Sequence, residues 1–153
     1  LGYNYRMTDM QAALLISQLE KLPMFSKRRK EIVARYNEAF SRIPELTVQQ
    51  ELEGSDSTRH LYILRIKPEK LRIDRRGFFD ALAAENIMCN VHYIPIYLQP
   101  YYQEMGYPKG LCPRAEKLYS EMMSLPLYYA MTDQDVEDVI TAVQKIVDYY
   151  KNK

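Results

Sequence analysis

The sequence predicts an α/β protein of two layers, in which two long N-terminal helices precede a small mixed or antiparallel sheet covered by helices. Three observations support this expectation. Apolar residues recur at helical spacing through residues 9–42. Short runs rich in β-branched and aromatic residues then alternate with helical patterns. Polar helix caps precede several of the helical runs. With 153 residues the chain is long enough to bury a core.

The first predicted helix covers residues 9–22 and follows a capping box formed by Thr8 and Gln11. Its apolar residues are spread around the helix, so we expect burial on more than one side. Pro23 should end or kink this helix, because proline has no backbone N–H to donate. A second helix is predicted over residues 24–42, with its own apolar stripe.

A basic run, Lys27-Arg28-Arg29-Lys30, lies in the second predicted helix. Basic runs can bind nucleic acid, but they also form solvated helix faces. The net charge of the chain is only +1, and acidic residues surround the run. We therefore favour a solvated face and expect no nucleic-acid partner.

The rest of the chain alternates strand and helix patterns. Four short segments have the composition of strands: 46–49, 60–67, 87–93 and 123–127. Three segments have helical spacing behind a start signal: 75–86 after Asp74, 113–123 beginning at Pro113, and a last helix after Thr132.

Composition excludes several classes of protein. No apolar run approaches the ~20 residues of a membrane span, and no signal peptide is visible, so we expect no membrane partner. The two cysteines, Cys89 and Cys112, lack the spacing of metal ligands, and no metal site is predicted. These features favour a reduced, cytoplasmic setting.

Two groups of polar residues could carry chemistry. The opening stretch presents Tyr3, Asn4, Tyr5 and Arg6 at the start of a helix, where backbone N–H groups favour an anion such as a phosphate. A capped helix with a tyrosine-rich lead-in is the simpler interpretation. The only histidines, His60 and His92, each have a tyrosine within two residues. Taken alone, each suits a hydrogen-bonded structural role better than catalysis.

A longer set of motifs resembles one enzyme family. The stretch Gly2-Tyr3-Asn4-Tyr5-Arg6-Met7-Thr8-Asp9-Met10-Gln11-Ala12-Ala13 is similar to the signature of the DegT/DnrJ/StrS sugar aminotransferases. Further motifs follow in the family's order: Gln18-Leu19 with Arg28-Arg29 and Tyr36, Arg59-His60-Leu61-Tyr62, Asn90-Val91-His92-Tyr93-Ile94-Pro95, Leu98-Gln99-Pro100-Tyr101-Tyr102, Ser124-Leu125-Pro126-Leu127 and Met131-Thr132. Within the family, the sequence most resembles the transaminases that make 4-amino-4,6-dideoxy sugars for pseudaminic acid and for spore-coat polysaccharide.

The resemblance implies the C-terminal domain of a fold type I aminotransferase dependent on pyridoxal 5'-phosphate (PLP). Such enzymes move an amino group from an amino acid, glutamate in the commonest case, to a nucleotide-linked 4-keto-6-deoxy sugar. The family's PLP-binding lysine lies upstream of the opening motif. The chain begins at Leu1 rather than Met. We therefore expect a piece of a longer protein, inactive alone and without catalytic residues of its own, with PLP bound only in the full-length protein.

The resemblance also assigns roles to residues. Asn4 and Arg6 are the expected cofactor-binding residues, with Asn4 reaching the PLP phosphate of the neighbouring subunit of a homodimer. An ion pair between Arg6 and Asp9 is the alternative for Arg6. The expected substrate-binding residues are His92, Tyr93, His60, Tyr62 and Tyr5. The segment from Tyr97 to Tyr107 could line the mouth of the sugar-nucleotide site or fill the core.

The expected domain organisation follows from the same resemblance. Residues 1–43 would form interdomain helices with a cofactor and interface loop at 1–8, and residues 44–153 the small C-terminal α/β domain. The large PLP-binding domain would be absent from this chain. A non-catalytic regulatory or binding member of the same family is the alternative function.

Overall fold

The computed structural model describes residues 2–152, so Leu1 and Lys153, at the outer ends of the expected domains, lie outside the described residues. The predicted fold class is confirmed, since helices pack on a small antiparallel sheet. The helices are α1 Asp9–Phe40, α2 Arg75–Ala84, α3 Pro100–Glu104, α4 Pro113–Glu121 and α5 Asp133–Tyr150. The strands are β1 Leu46–Val48, β2 Tyr62–Ile66 and β3 Met122–Leu125, and 3₁₀ turns lie at Pro68–Lys70 and Ile96–Leu98.

The sheet has the order β1-β2-β3, and both strand pairs are antiparallel. Tyr62, Leu64 and Ile66 alternate along β2 and are buried, whereas the residues between them are half-buried. This period of two places one face of the central strand against the core. The core contains buried residues of the second half of α1, of α2 and of α5.

The two predicted N-terminal helices are one continuous helix, α1, of 32 residues with Pro23 inside it. The predicted break at Pro23 is therefore wrong. Proline removes the hydrogen bond to the carbonyl of Leu19 and costs about 3 kcal/mol relative to Ala in a helix. The remaining hydrogen bonds of a helix this long, and the exposed position of Pro23, tolerate that loss.

The two halves of α1 have different surroundings. Ile32, Val33, Tyr36 and Phe40 in the second half are buried in the core. The first half carries apolar residues around its circumference, and these are exposed within the described chain: Met10, Leu14, Leu15, Ile16, Leu19 and Leu22. A helix that is apolar all round is normally buried on all sides, so the first half lacks the packing its composition calls for.

The predicted strand at 87–93 is wrong. Only Asn90 pairs with the outer edge of β3, donating its N–H to the Ser124 carbonyl (3.1 Å) and accepting from the Ser124 N–H (2.7 Å). The Asn90 side-chain oxygen takes the N–H of Val91 at 2.8 Å. Such local side-chain bonds compete with a strand ladder, and here the pairing stops after a single bridge.

The caps that the sequence predicted are present. Thr132 forms a capping box with Asp135 at the start of α5, and Asp74 accepts the N–H of Gly77 at the start of α2. Asn86 ends α2 in the left-handed conformation, at φ 63°, and the next N–H, that of Ile87, reaches back to the Leu82 carbonyl (2.9 Å). This is the usual way to stop a helix. Over residues 2–152, none of the helices combines the length and apolar character needed to cross a membrane.

Replacing Leu64 by Ala should lower the free energy of unfolding by about 2–5 kcal/mol, because the lost methyl groups leave a cavity in the middle of the core. Leu64 is 0% exposed. Leu52→Ala is the matched control: Leu52 is 82% exposed, and its loss should change stability by less than about 0.5 kcal/mol. Urea denaturation followed by circular dichroism measures both. Equal effects of the two substitutions would contradict the packing described for β2.

Candidate functional site

The loop before α1 is exposed and internally ordered. The Asn4 side-chain oxygen accepts the backbone N–H of Arg6 at 3.1 Å, which forms a tight turn. The rings of Tyr3 and Tyr5 lie 5.8 Å apart, and Tyr5 is 87% exposed. Thr8 and Gln11 then close the predicted capping box, with the Thr8 N–H donating to Gln11 Oε1 (3.0 Å). The turn therefore presents Asn4, Tyr5 and Arg6 to solvent at the start of α1.

This loop has the chemistry to hold a phosphate. Over residues 2–152, the Arg6 guanidinium forms no ion pair with Asp9, so the alternative assignment of Arg6 is not seen. A guanidinium can bind a phosphate through two parallel hydrogen bonds, and the N-terminus of a helix adds positive potential. An open groove of about 540 Å³ lies beside the loop. It is lined by Tyr5, Arg6, Met7, Gln11, Leu14, Leu15 and Gln18. The residues present therefore fit the phosphate of PLP.

His92 is held by a contact with β3. Its Nδ1 lies 2.8 Å from the hydroxyl of Ser124, a buried residue of β3. The ring of Tyr93 stands edge-on to the imidazole, with centroids 4.8 Å apart, and Tyr93 itself is 73% exposed. Because Nδ1 is engaged, Nε2 is the nitrogen left to contact another molecule. Ser124 was not among the predicted site residues, although it opens the motif Ser124-Leu125-Pro126-Leu127.

The two residues of the His60 motif have different surroundings. His60 is exposed, and its carbonyl accepts from Arg29 Nη1 at 3.0 Å. Tyr62 is only 3% exposed, and its hydroxyl donates to Asn37 Oδ1 at 2.8 Å. Burial raises the pKa of Tyr62 above its ordinary value. In this chain Tyr62 is thus a core residue, packed edge-on against Tyr36 with ring centroids 4.9 Å apart.

The predicted site residues do not converge within this chain. His60 precedes β2 and lies at the end of the sheet where β3 finishes, since Tyr62 pairs with Leu125. His92 bonds the Ser124 hydroxyl, and its neighbour Asn90 pairs with the Ser124 backbone, so His92 lies at the outer edge of β3, the edge that faces away from β2. The loop with Asn4 and Arg6 stands at the far end of α1, which rises 1.5 Å per residue between Asp9 and Ile32, its first residue in the core, over roughly 35 Å.

The segment from Tyr97 to Tyr107 lies before α4 and is held to that helix by hydrogen bonds. The Tyr97 hydroxyl donates to Glu116 Oε1 (2.7 Å), and Gly110 N–H donates to the same oxygen (2.6 Å). Gln103 Nε2 bonds the carbonyls of Tyr97 and Tyr107, at 2.6 and 2.7 Å. Most of the segment is exposed, so it does not fill the core. These two hydrogen bonds to Glu116 hold its pKa below the ordinary value, and the bond from the Tyr97 hydroxyl has the larger effect.

The basic run of α1 is not a solvated face throughout. Arg28 Nη2 donates to the Met131 carbonyl (2.6 Å) and pairs with Asp133 at 3.0 Å. Arg29 bonds three main-chain carbonyls, whereas Lys30 pairs with Asp56. The interpretation of Arg28 and Arg29 as solvated is therefore wrong. Sequence reasoning missed it because the carbonyl acceptors are some 30 to 103 positions away along the chain.

The structure also contains a cleft that the sequence did not predict. It has a volume of about 650 Å³ and lies between the end of α2 and α5. Polar groups at its rim are engaged with each other: Lys145 bonds Glu85 at 2.7 Å, and Asp135 caps α5. Over residues 2–152, no group of His, Cys, Asp and Glu side chains is placed to hold a metal ion.

Known proteins resemble this chain in sequence and in fold. The profile of the DegT/DnrJ/EryC1/StrS aminotransferase family matches residues 1–144. SpsC of Bacillus subtilis, a spore coat polysaccharide biosynthesis protein, is 43% identical over 148 residues, which cover 95% of this chain and 38% of SpsC. The aminotransferase TlmJ of Streptoalloteichus hindustanus superposes with a TM-score of 0.84 at 29% identity, over 97% of this chain and 38% of TlmJ.

A further solved structure of an aminotransferase has a similar fold. PseC of Helicobacter pylori, an aminotransferase involved in the biosynthesis of pseudoaminic acid, superposes with a TM-score of 0.82 at 28% identity, over 97% of this chain and 40% of PseC. The fold is that of these aminotransferases. The chain belongs to the DegT/DnrJ/EryC1/StrS aminotransferase family, which confirms the resemblance read from the sequence. It spans about 38% of the length of the curated relatives it matches.

Replacing Tyr97 by Phe should destabilise the chain in a pH-dependent way. The substitution removes the hydrogen bond that lowers the pKa of Glu116 in the folded state. A carboxylate with a lowered folded pKa contributes stability above its unfolded pKa and loses it as the pH falls. The deficit in melting temperature should therefore be largest above about pH 5 and shrink below about pH 4. Tyr101→Phe, at an exposed position, is the control; a pH-independent deficit in Tyr97→Phe would contradict this account.

Proposed function

We propose that this chain is the C-terminal part of a PLP-dependent aminotransferase. The whole protein would move an amino group from an amino acid, glutamate in the first instance, to a nucleotide-linked 4-keto-6-deoxy sugar. The aminated sugar would serve the biosynthesis of a surface polysaccharide or glycan, such as a spore coat. The chain alone would be inactive, because the lysine that holds PLP covalently in this family would lie outside it. A cytoplasmic setting suits these nucleotide-linked substrates.

One observation carries the proposal: the opening loop, whose geometry suits a phosphate, lies within the residues matched to the aminotransferase family. The loop presents Asn4 and Arg6 together at the N-terminus of a long helix. The names of two related proteins indicate the chemistry of their substrates, since SpsC and PseC are named for polysaccharide and pseudoaminic acid biosynthesis. These names support a sugar substrate for this protein.

Asn4 and Arg6 are the proposed cofactor-binding residues. Bound PLP supplies the electron sink that amino transfer requires. The Asn4 amide would donate to the phosphate, and the Arg6 guanidinium would neutralise part of its charge. Asp9 in the first turn of α1 opposes an anion, so Arg6 also offsets this carboxylate.

Four of the proposed substrate-binding residues would contact the sugar nucleotide directly. His92 would contact it through Nε2, with Ser124 holding the imidazole and Tyr93 offering an exposed ring. Tyr5 would act from the opening loop, beside Arg6. His60 is a further candidate because it is exposed. Tyr62 would act only through its packing, because its side chain is buried.

The first half of α1 is the proposed place of contact with the large domain and with a second subunit. Its exposed apolar residues surround the helix, so cover on several sides is needed to remove them from water. A homodimer with a shared site would meet this need, since the loop with Asn4 and Arg6 stands at the outer end of the same helix. We accordingly propose residues 1–43 as the interdomain element and 44–153 as the small domain.

The second candidate is a regulatory or binding protein of the same family that has lost catalysis. Lys30, Lys145 and Lys151 pair with carboxylates, so these lysines of the chain do not decide between the two candidates. The lysine that would decide between the candidates belongs to the large domain. A binding protein would keep the phosphate-binding loop and the sugar site without turnover.

The full-length protein should take up PLP and transaminate a keto-sugar nucleotide. The measurement is the visible absorbance of the purified protein with PLP, followed by amino transfer from glutamate to a nucleotide-linked 4-keto-6-deoxy sugar. Binding of the sugar nucleotide without turnover would favour the regulatory candidate. A full-length protein that never takes up PLP would exclude the aminotransferase proposal.

Replacing Asn4 by Ala in the full-length protein should weaken PLP affinity by roughly tenfold, because one hydrogen bond to a charged phosphate is worth about 1.5–3 kcal/mol. Thermal stability without PLP should stay unchanged, since the Asn4 side chain bonds only the N–H of Arg6. Gln49→Ala, in the exposed stretch after β1, is the control. Equilibrium dialysis measures the affinity, and an unchanged value would remove Asn4 from the cofactor site.

A further inference from the structure

The guanidinium of Arg29 occupies the place where the β2–β3 ladder would continue. Tyr62 pairs with Leu125 as the last rung of that ladder. Extending the register outward by two residues places His60 opposite Leu127. Arg29 Nη1 donates to both of these carbonyls, at 3.0 Å to His60 and 3.2 Å to Leu127. One side chain of α1 thus bonds two backbone segments where they part.

Arg29 also controls the turn that leads into β2. The same Nη1 lies 3.2 Å from the Arg59 carbonyl, and Arg59 has a left-handed backbone with φ 53°. The Arg59 side chain is itself buried and paired with Glu51 at 2.6 Å. The backbone on both sides of His60 is therefore fixed, whereas the imidazole stays exposed. Charged donors form stronger hydrogen bonds than neutral ones, so this arrangement is stiff.

Contacts near Arg29 fasten the second segment to the same helix. Arg28 bonds the Met131 carbonyl, and the ring of Phe25 lies edge-on to Tyr129, with centroids 4.9 Å apart. These contacts fix the segment from Leu127 to Met131, and Arg29 is the residue that reaches both this segment and the turn before β2. No other side chain within residues 2–152 donates to carbonyls of both segments.

We propose that Arg29 is a positioning residue that sets where the His60 turn and the Leu127–Met131 segment stand relative to α1. It acts by replacing the next rung of the β2–β3 ladder with a side chain from the helix. The consequence for the reaction rests on the proposed function: His60 would be presented to the sugar nucleotide at a distance from α1 that Arg29 fixes. Loss of Arg29 should then impair sugar binding and leave the loading of the cofactor by glutamate intact.

The first arm of the test is hydrogen–deuterium exchange on the full-length protein, and it does not depend on the function. Arg29→Met removes the Nη1 donor and with it all three hydrogen bonds, while it keeps an unbranched side chain. Exchange should rise about tenfold in peptides covering residues 57–61 and 126–131, because each lost hydrogen bond costs about 1–3 kcal/mol. Exchange in the interior of β2 and β3 should stay near the wild-type rate. Arg35→Met is the matched control, because Arg35 lies on the same helix and pairs only with the exposed carboxylates of Asp133 and Glu137.

The second arm separates positioning from general stability. In the full-length enzyme, Arg29→Met should raise KM for the keto-sugar nucleotide by about tenfold, and the rate of amine loading from glutamate should stay within about twofold. In Arg29→Lys the KM for the keto-sugar nucleotide should return most of the way to the wild-type value, since an ammonium keeps the charge and three donors. If the wild-type enzyme shows no transamination, the proposed function fails, and the exchange arm still decides the role of Arg29.

Unchanged exchange in both segments of Arg29→Met would overturn the proposal. So would a rise that is uniform over the small domain or equal to that in Arg35→Met. If Arg29→Met fails to fold, Arg29→Lys decides in its place: exchange raised only in these two segments supports the proposal, and unchanged or uniformly raised exchange overturns it. If the KM for the sugar nucleotide and the rate of loading by glutamate change together, Arg29 has no specific effect on sugar binding.

Discussion

The burial of the second half of α1 is the constraint on which the rest of the structure depends. The three strands have three to five residues each, and a sheet this small is unstable without a covering layer. Tyr36 and Phe40 supply that cover, with rings stacked 5.7 Å apart and both fully buried. The Tyr36 hydroxyl also donates to the Pro126 carbonyl at 3.0 Å, so the same residue that fills the core fixes the exit of β3.

The polar contacts of α1 extend this fastening beyond the apolar core. Arg29 reaches main-chain carbonyls just outside β2 and β3, and Arg28 reaches the Met131 carbonyl before α5. Arg35 pairs with carboxylates of α5. Carbonyl acceptors at strand ends are costly to leave without partners in a half-buried place. The arginines therefore supply hydrogen bonds where the sheet runs out of strands. The pair on exposed Asp133 and Glu137 contributes less, because solvent screens it.

The sequence was most informative where structure is local. The capping boxes at Thr8 and Thr132 located the starts of α1 and α5, because a cap depends on residues three positions apart. The alternation of residues around Leu64 identified β2 for the same reason. The order of motifs also identified the family, since it needs no knowledge of contacts. The sequence failed at Pro23, where the remaining hydrogen bonds of a 32-residue helix tolerate the loss of one. It also failed at residues 87–93, where a side-chain bond of Asn90 competes with strand pairing.

The candidate site was harder to predict because its parts are far apart along the chain. Ser124 holds His92 across 32 positions, and neither residue carries a pattern that announces the contact. Tyr62 belongs to a motif that predicted substrate binding, yet its side chain is buried on the inward face of β2. Spacing alone cannot distinguish an exposed His60 from a buried Tyr62 when the face of the strand is set by the core.

The continuity of α1 has a mechanical consequence. Helical hydrogen bonds join the turn that holds Asn4 and Arg6 to the buried residues Tyr36 and Phe40 without a loop between them. A force on the outer end is therefore delivered to the sheet as a torque about the Arg28 and Arg29 contacts. The weakest section of this lever is the turn that ends at Pro23, where the Leu19 carbonyl has no N–H to accept. Bending should concentrate there, so the turn with Asn4 and Arg6 can shift while the fold around the sheet keeps its shape.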